Sequence, residues 1–209
     1  LNAMLGHEYY RRESKSVGGS KSNMFSQEND ELSGAITDMQ AAYSTSSMYN
    51  NEGFFSRVMY DYDSRYYASG SFRRDASSRF APGHRWGNFW SLGAAWIMSK
   101  ENFMQGTTGW LDNLKYKFSI GSQGNDSIGN YRYIDTYSIE NANGVISTVF
   151  STKGNPDITW ETNTNLNTGF EFGFLRGRIF GSLEYFMRRT SDMLLSFAVA
   201  PSMGYTSYY

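Results

Sequence analysis

Residues 65–80 read RYYASGSFRRDASSRF. Up to Phe72 the run alternates: Tyr66, Ala68, Gly70 and Phe72 fall on one face of an extended chain, and Tyr67, Ser69, Ser71 and Arg73 on the other. Successive side chains of a strand point to opposite sides, so this is the pattern of a strand with two unlike faces. Arg73, Arg74 and Arg79 then crowd the far end, with Asp75 among them. A soluble domain offers such a run no obvious core face. A strand that is greasy on one side, wet on the other and ends in a polar loop accounts for it.

The same period recurs on both sides of this stretch. Before it, Phe54, Val58, Tyr60 and Tyr62 share one parity, and Arg57, Met59 and Asp61 the other. After it, Trp90, Leu92, Ala94 and Trp96 oppose Ser91, Gly93 and Ala95. Leu114, Tyr116, Phe118 and Ile120 oppose Lys115, Lys117, Ser119 and Gly121, the cleanest case. Leu166, Phe170, Phe172 and Phe174 oppose Asn165, Asn167, Gly169, Glu171 and Gly173. Finally Ile179, Leu183, Tyr185 and Met187 oppose Ser182, Glu184 and Arg188, with Phe180 and Phe186 as exceptions on the polar side. With Asn2–Arg11 at the start, these make about seven strands of roughly 9–11 residues, the length a tilted strand needs to cross a bilayer.

The connections alternate as well. Asp63-Ser64 and Leu175-Arg176-Gly177 are tight turns, and the link around SKENFMQGTTGWLDN has room for a short helical turn. Long polar segments fall between: Arg12 to Gly53, Asp75 to Gly87, Gln123 to Asn163, and Arg189 onward. The stretch from Ser14 to Asn51 reads as one long loop. Loops of that size are foreign to a compact soluble domain. Gathered at one end of an up-and-down sheet, they are the pattern of a transmembrane β-barrel with long loops on one side and short turns on the other.

Composition agrees. Aromatics are 17% of the 209 residues, with 16 Tyr, 15 Phe, 21 Gly and only 3 Pro, a blend suited to strands at an apolar–water boundary. Lys plus Arg (19) balances Asp plus Glu (20), so no net field draws nucleic acid. The chain has no cysteine, which excludes thiolate metal sites, disulfides and thiol nucleophiles. No apolar run is long enough for a membrane helix, and LNAMLGHEYYRR is not a signal peptide.

Chemistry-bearing motifs are absent. His7 and His84 have no partner ligands at metal spacing, so neither a metal nor a cofactor is expected. Asp126, Asp135, Glu140, Asp157 and Glu161 are near one another in sequence, but nothing sets two of them at the separation of a hydrolytic pair. Arg73, Arg74, Asp75 and Arg79 read as an ion-pair network holding a strand end to its loop. Asn125, Asp126, Tyr131, Tyr137 and Trp160 are the ligand candidates of the long loop, since flat apolar faces beside polar groups suit a sugar or a peptide. The competing reading is that each of these packs the loop or belongs to an interfacial girdle.

Five blocks carry a resemblance: YASGSFRRDASSRFAPGHRWGNFWSLGAAW (67–96), WLDNLKYKFSIGSQGNDSIGNY (110–131), GNPDITWETNTNLNTGFEFGF (154–174), GSLEYFMRRTSDMLL (181–195) and PSMGY (201–205). Together they resemble the barrel half of the SusC/RagA family of TonB-dependent outer-membrane transporters. LNAMLGHEYY and FFSRVMYDYDSRYY fit the same pattern. The resemblance implies an all-β fold, an antiparallel transmembrane β-barrel of about 22 strands with long extracellular loops and short periplasmic turns. Residues 1–209 are then part of the barrel domain, with no plug domain, TonB box, signal sequence or closing strand among them.

The resemblance further implies import of oligosaccharides or peptides across the outer membrane of Bacteroidota. It implies a SusD-like surface lipoprotein as lid, TonB as motor, outer-membrane lipid around the wall, and no enzymatic activity. Tyr66, Ala68, Gly70 and Phe72 would face lipid and the other parity the lumen, with the chain leaving the bilayer from Arg73. The alternatives are a soluble all-β carbohydrate-binding module, which must bury its apolar faces in a sandwich, and a surface hydrolase.

Overall fold

A computed structural model describes residues 1–28, 31–39, 41–142, 144–205 and 207–209. Seven strands form one sheet: β1 (Asn2–Ser20), β2 (Ala41–Tyr62), β3 (Tyr66–Ser77), β4 (Trp86–Ile97), β5 (Leu111–Asn125), β8 (Glu161–Phe174) and β9 (Ile179–Ser191). They lie in chain order, interrupted by a separate hairpin of β6 (Thr136–Ala142) and β7 (Val145–Thr152) between β5 and β8. A short pair, β10 (Phe197–Ala198) and β11 (Ser207–Tyr208), follows. From β2 to β9 every neighbouring pair in the sheet is antiparallel. The chain divides into two compact units, Leu1–Tyr9 with Asn51–Tyr209, and Tyr10–Asn50.

Register keeps the apolar parity together. Phe72 pairs with Trp90, Tyr66 with Trp96, Leu92 with Ile120, Tyr116 with Phe170, and Phe170 with Leu183. Because a one-residue slip would turn a whole strand inside out, this agreement across successive ladders fixes one apolar face. Most of those side chains stay exposed, Leu92 at 54% and Leu183 at 71%, and none is buried. A soluble sandwich would bury them beneath a second sheet. The buried apolar cluster instead lies where Phe89 of β4 meets the loop residues Phe80, Ile128, Ile158 and Trp160. Grease outside and packing in the loops is the arrangement of a wall set in lipid.

Two aromatic bands bound the apolar face. At one end His7 stacks on Phe54 at 4.6 Å, Phe54 on Trp86 at 6.2 Å, and the Arg74 guanidinium lies over the Trp86 ring at 5.0 Å. At the other, ring centroids of Tyr60, Tyr62, Tyr66, Trp96 and Phe103 follow one another at 6.3–6.5 Å. Phe54 and Tyr62 bracket the span within β2, roughly 26 Å apart at ~3.3 Å per residue. An outer-membrane barrel shows an apolar band about 25 Å tall between such girdles.

The tight turns are as expected. Asp63 and Ser64 take φ of 52° and 49°, a left-handed pair at the centre of a turn that Arg65 N closes on Tyr62 O at 3.0 Å, with Tyr62 and Tyr66 paired across it. Leu175, Arg176 and Gly177 also have positive φ. The intermediate link holds two 3-10 turns, Met98–Lys100 and Asn102–Thr107. There Glu101 accepts hydrogen bonds from Tyr66 Oη (2.6 Å) and Trp96 Nε1 (3.0 Å), tying the turn to the girdle.

The long loops need correction. Ser14–Asn51 is not one loop: β1 continues to Ser20 and β2 starts at Ala41. Near its tip Thr37 Oγ1 donates to Ser22 O (2.6 Å) and accepts from Ser22 N (3.1 Å). Antiparallel pairing is made by backbone groups, so a ribbon that is polar on both faces forms without the alternation that betrays a half-buried strand. Likewise Gln123–Asn163 contains the β6–β7 hairpin, and Asp75–Gly87 shrinks to the residues between Ser77 and Trp86. Strands are therefore longer than the 9–11 residues a bilayer asks for, because they run on past the girdle.

Candidate functional site

The face opposite the apolar band carries Arg57, Tyr67, Ser69, Lys117, Ser119, Asn167 and Glu184, which line a cavity of about 530 Å³ floored by Gly93, Ala95 and Gly169. Lys117 Nζ sits 2.7 Å from Glu171 and 2.9 Å from Glu184, and Lys115 lies 3.6 Å from Glu171. These pairs are half exposed, so each is worth little alone; together they balance the charge of a polar wall. Phe180 and Phe186, opposite Gly173 and Asn167, are its apolar exceptions.

Toward the His7–Phe54–Trp86 end the polar face changes character. Arg73 Nε lies 2.7 Å from both oxygens of Asp75, and Arg73 Nη2 is 3.0 Å from Glu8. The guanidinium also covers the Phe55 ring at 5.5 Å. Gly53 makes this possible, since a Cβ there would strike the Asp75 carboxylate and Arg73. Ser71 and Ser91 share a hydrogen bond of 2.7 Å. Ser71, Arg73, Asp75 and Ser91, with Phe89, Gln123 and Trp160, line a second cavity of about 340 Å³, and Glu8 adjoins it through Arg73.

Above it the loops are knotted. Trp160 packs against Phe80 (5.4 Å) and Phe89 (5.3 Å), and its Nε1 donates to Arg85 O at 2.7 Å. Ser77 Oγ donates to Asp126 Oδ2 at 2.7 Å, and Arg79 Nη1 to Asp126 O at 2.8 Å. The expected single network of Arg73, Arg74, Asp75 and Arg79 is thus split: Arg73 holds Asp75, Arg74 covers Trp86, and Arg79 holds Asp126. Alternation sends Arg73 and Arg74 to opposite faces, which forbids one network.

The five loop candidates separate in the same way. Asn125 donates to Glu161 at 3.1 Å and caps the Ser127 amide, Asp126 holds Ser77 and Arg79, and Trp160 is only 8% exposed. Tyr131, at φ 63°, and Tyr137, which meets Phe150 edge-on at 5.5 Å, remain exposed. Ser71, Ser91 and Gln123 escaped notice because the wet parity of a strand carries no motif; its only signal is being opposite the apolar parity.

The loop carboxylates are engaged one by one. Asp135 accepts from Gly154 N (2.8 Å) and Lys153 Nζ (3.1 Å) at the root of the β6–β7 hairpin, and these bonds hold its carboxyl below the ordinary 3.8. A depressed carboxylate stabilises the fold above its unfolded value, and the effect disappears as pH falls through the folded one. Hydrogen exchange of 132–155 should therefore be faster in Asp135→Asn than in the wild type at pH 7, with the gap closing only below pH 3.8. A gap that closes already near neutrality would refute this anchor. Among the described residues no three metal-ligating side chains cluster.

Residues 2–209 match the family of TonB dependent receptor-like β-barrels. The chain is 34% identical over 165 residues to the TonB-dependent receptor SusC of Bacteroides thetaiotaomicron, covering 75% of this chain and 16% of that protein. It is 31% identical over 157 residues to the TonB-dependent receptor P39 of Formosa agariphila, covering 73% of this chain and 15% of that protein. A solved structure of the RagAB peptide transporter superposes with a TM-score of 0.88 at 31% identity, over 99% of this chain and 23% of the other. The chain thus spans less than a quarter of the proteins it matches.

Proposed function

The chain belongs to the TonB dependent receptor-like β-barrel family, and on that premise we propose that it is the wall and outer loops of an importer of oligosaccharides or peptides. Its place is the outer membrane, and the family is one of receptors, not enzymes. The observation that carries the reading is the apolar band between two aromatic girdles, backed by a polar inner face with cavities. A soluble carbohydrate-binding sandwich finds no support in one seven-stranded sheet whose apolar face is exposed.

In this reading all of 1–209 is barrel, about a third of the strands of a barrel of roughly 22, and outer-membrane lipid covers the apolar face. A SusD-like lipoprotein closes over the loop end, where Tyr131 and Tyr137 stand exposed to lipoprotein or ligand. TonB acts through a plug supplied by another part of the polypeptide. Intact mass and peptide mapping of the native, detergent-extracted protein should reveal a parent far larger than 23.8 kDa with a lipoprotein bound. A detergent-free species of 23.8 kDa with a cooperative melt would overturn the proposal.

A further inference from the structure

We propose that the outer cavity of the inward face, at Ser71, Arg73, Asp75, Ser91 and Gln123, together with Glu8, is a binding subsite for a peptide bearing a cationic group, and not for a neutral sugar. This rests on the import reading and narrows its substrate. Charge is the first reason. Two carboxylates, Glu8 and Asp75, face one guanidinium, Arg73. Asp75 is buried and both its oxygens share the Arg73 Nε–H, whereas the Glu8 side chain is 54% exposed and meets Arg73 through one oxygen only. Glu8 therefore retains acceptor capacity and the site a surplus negative charge, which a lysine side chain or an amino terminus complements.

The second reason is the neutral lining. The Ser71–Ser91 hydroxyl pair and the Gln123 carboxamide each donate and accept, as a peptide backbone requires. Gln123 is exposed and makes no side-chain hydrogen bond among the described residues. The third is what the cavity withholds. A sugar is held by an open aromatic face with polar groups around it. Here Phe89 is 7% and Trp160 8% exposed, the Trp160 N–H is committed to Arg85, and the Phe89 ring lies pressed on Gly87 and Gly124. Trp90, the other aromatic of the lining, belongs to the apolar parity opposite Phe72, so among the described residues of the lining no ring turns an open face inward. At about 340 Å³ the cavity is a subsite and not a whole cleft.

The test uses the full-length transporter with its lipoprotein in detergent. Its probes are a lysine-containing pentapeptide, the same peptide acetylated at both amines, and cellohexaose. The lysine peptide should bind about tenfold tighter than its acetylated form, and Glu8→Gln should shrink that ratio below about threefold. Gln123→Ala should keep the ratio and weaken both peptides about fivefold, so a poorly assembling Glu8 variant does not decide the matter. Equal affinity of the two peptides for the wild type, a ratio that survives Glu8→Gln, or peptide affinities untouched by Gln123→Ala each overturn the subsite. Binding of cellohexaose alone overturns it too, but leaves the import reading standing; a protein that carries no lipoprotein and binds none of the probes sinks both.

Discussion

Ile120→Lys should sharply lower the folded fraction of the barrel in the outer membrane, while Ser119→Lys one residue away should leave it intact. Ile120 pairs with Leu92 on one side and Leu166 on the other, within the apolar parity. In β4 and β5 its level lies between the Trp90–Ser122 pair and the Trp96–Tyr116 pair, near the middle of the band. A lysine on the lipid face at that depth costs about 2–4 kcal/mol, a large share of the ~5–15 kcal/mol that separates folded from unfolded protein. Ser119 pairs with Gly93 and Asn167 on the wet face, beside Lys117, where an ammonium keeps its hydration. The folded fraction in membrane extracts, read from the gel shift between unheated and boiled samples, separates the two. Equal damage from both would mean that the inward and outward faces are not divided as described.

That contrast is the part of the fold legible in sequence, and it was legible for a physical reason. Between Leu114 and Ile120 one face is apolar and the other polar, so the period of two is written into composition. Along 12–17 of β1 and 41–48 of β2 both faces are exposed; the alternation vanishes although the two strands still pair. Strand existence could be read only where the two faces differ. The site was less legible, because it is made by contacts distant in sequence. Asp126 meets Ser77 across 49 positions and Trp160 meets Arg85 across 75. Residue types alone suggested a ligand role for Trp160 and a common network for the arginines. Ladder register decides instead which side chain reaches which loop.

Trp160→Ala tests that long-range knot and should open the outer loops without unmaking the wall. Trp160 fills the space between Phe80 and Phe89 and closes on the Arg85 carbonyl. Removing a buried aromatic of this size costs about 3–5 kcal/mol, concentrated where Phe80, Ile128 and Ile158 converge. Trypsin should then cut after Arg79, Arg85 and Arg132, sites that lie in or beside the connections joined there. Trp160→Phe keeps most of the packing but removes one of two donors to the Arg85 carbonyl, the Ser77 amide remaining at 3.1 Å; that loss is worth about 0.5–1.5 kcal/mol and should give intermediate cleavage. The wall is held by backbone ladders from β2 to β9, so the boiled-versus-unheated gel shift should not change in either variant. Loops that stay resistant in Trp160→Ala would mean that the Ser77–Asp126–Arg79 bonds fasten them unaided. Loss of the gel shift itself would mean that the knot also closes the barrel's rim.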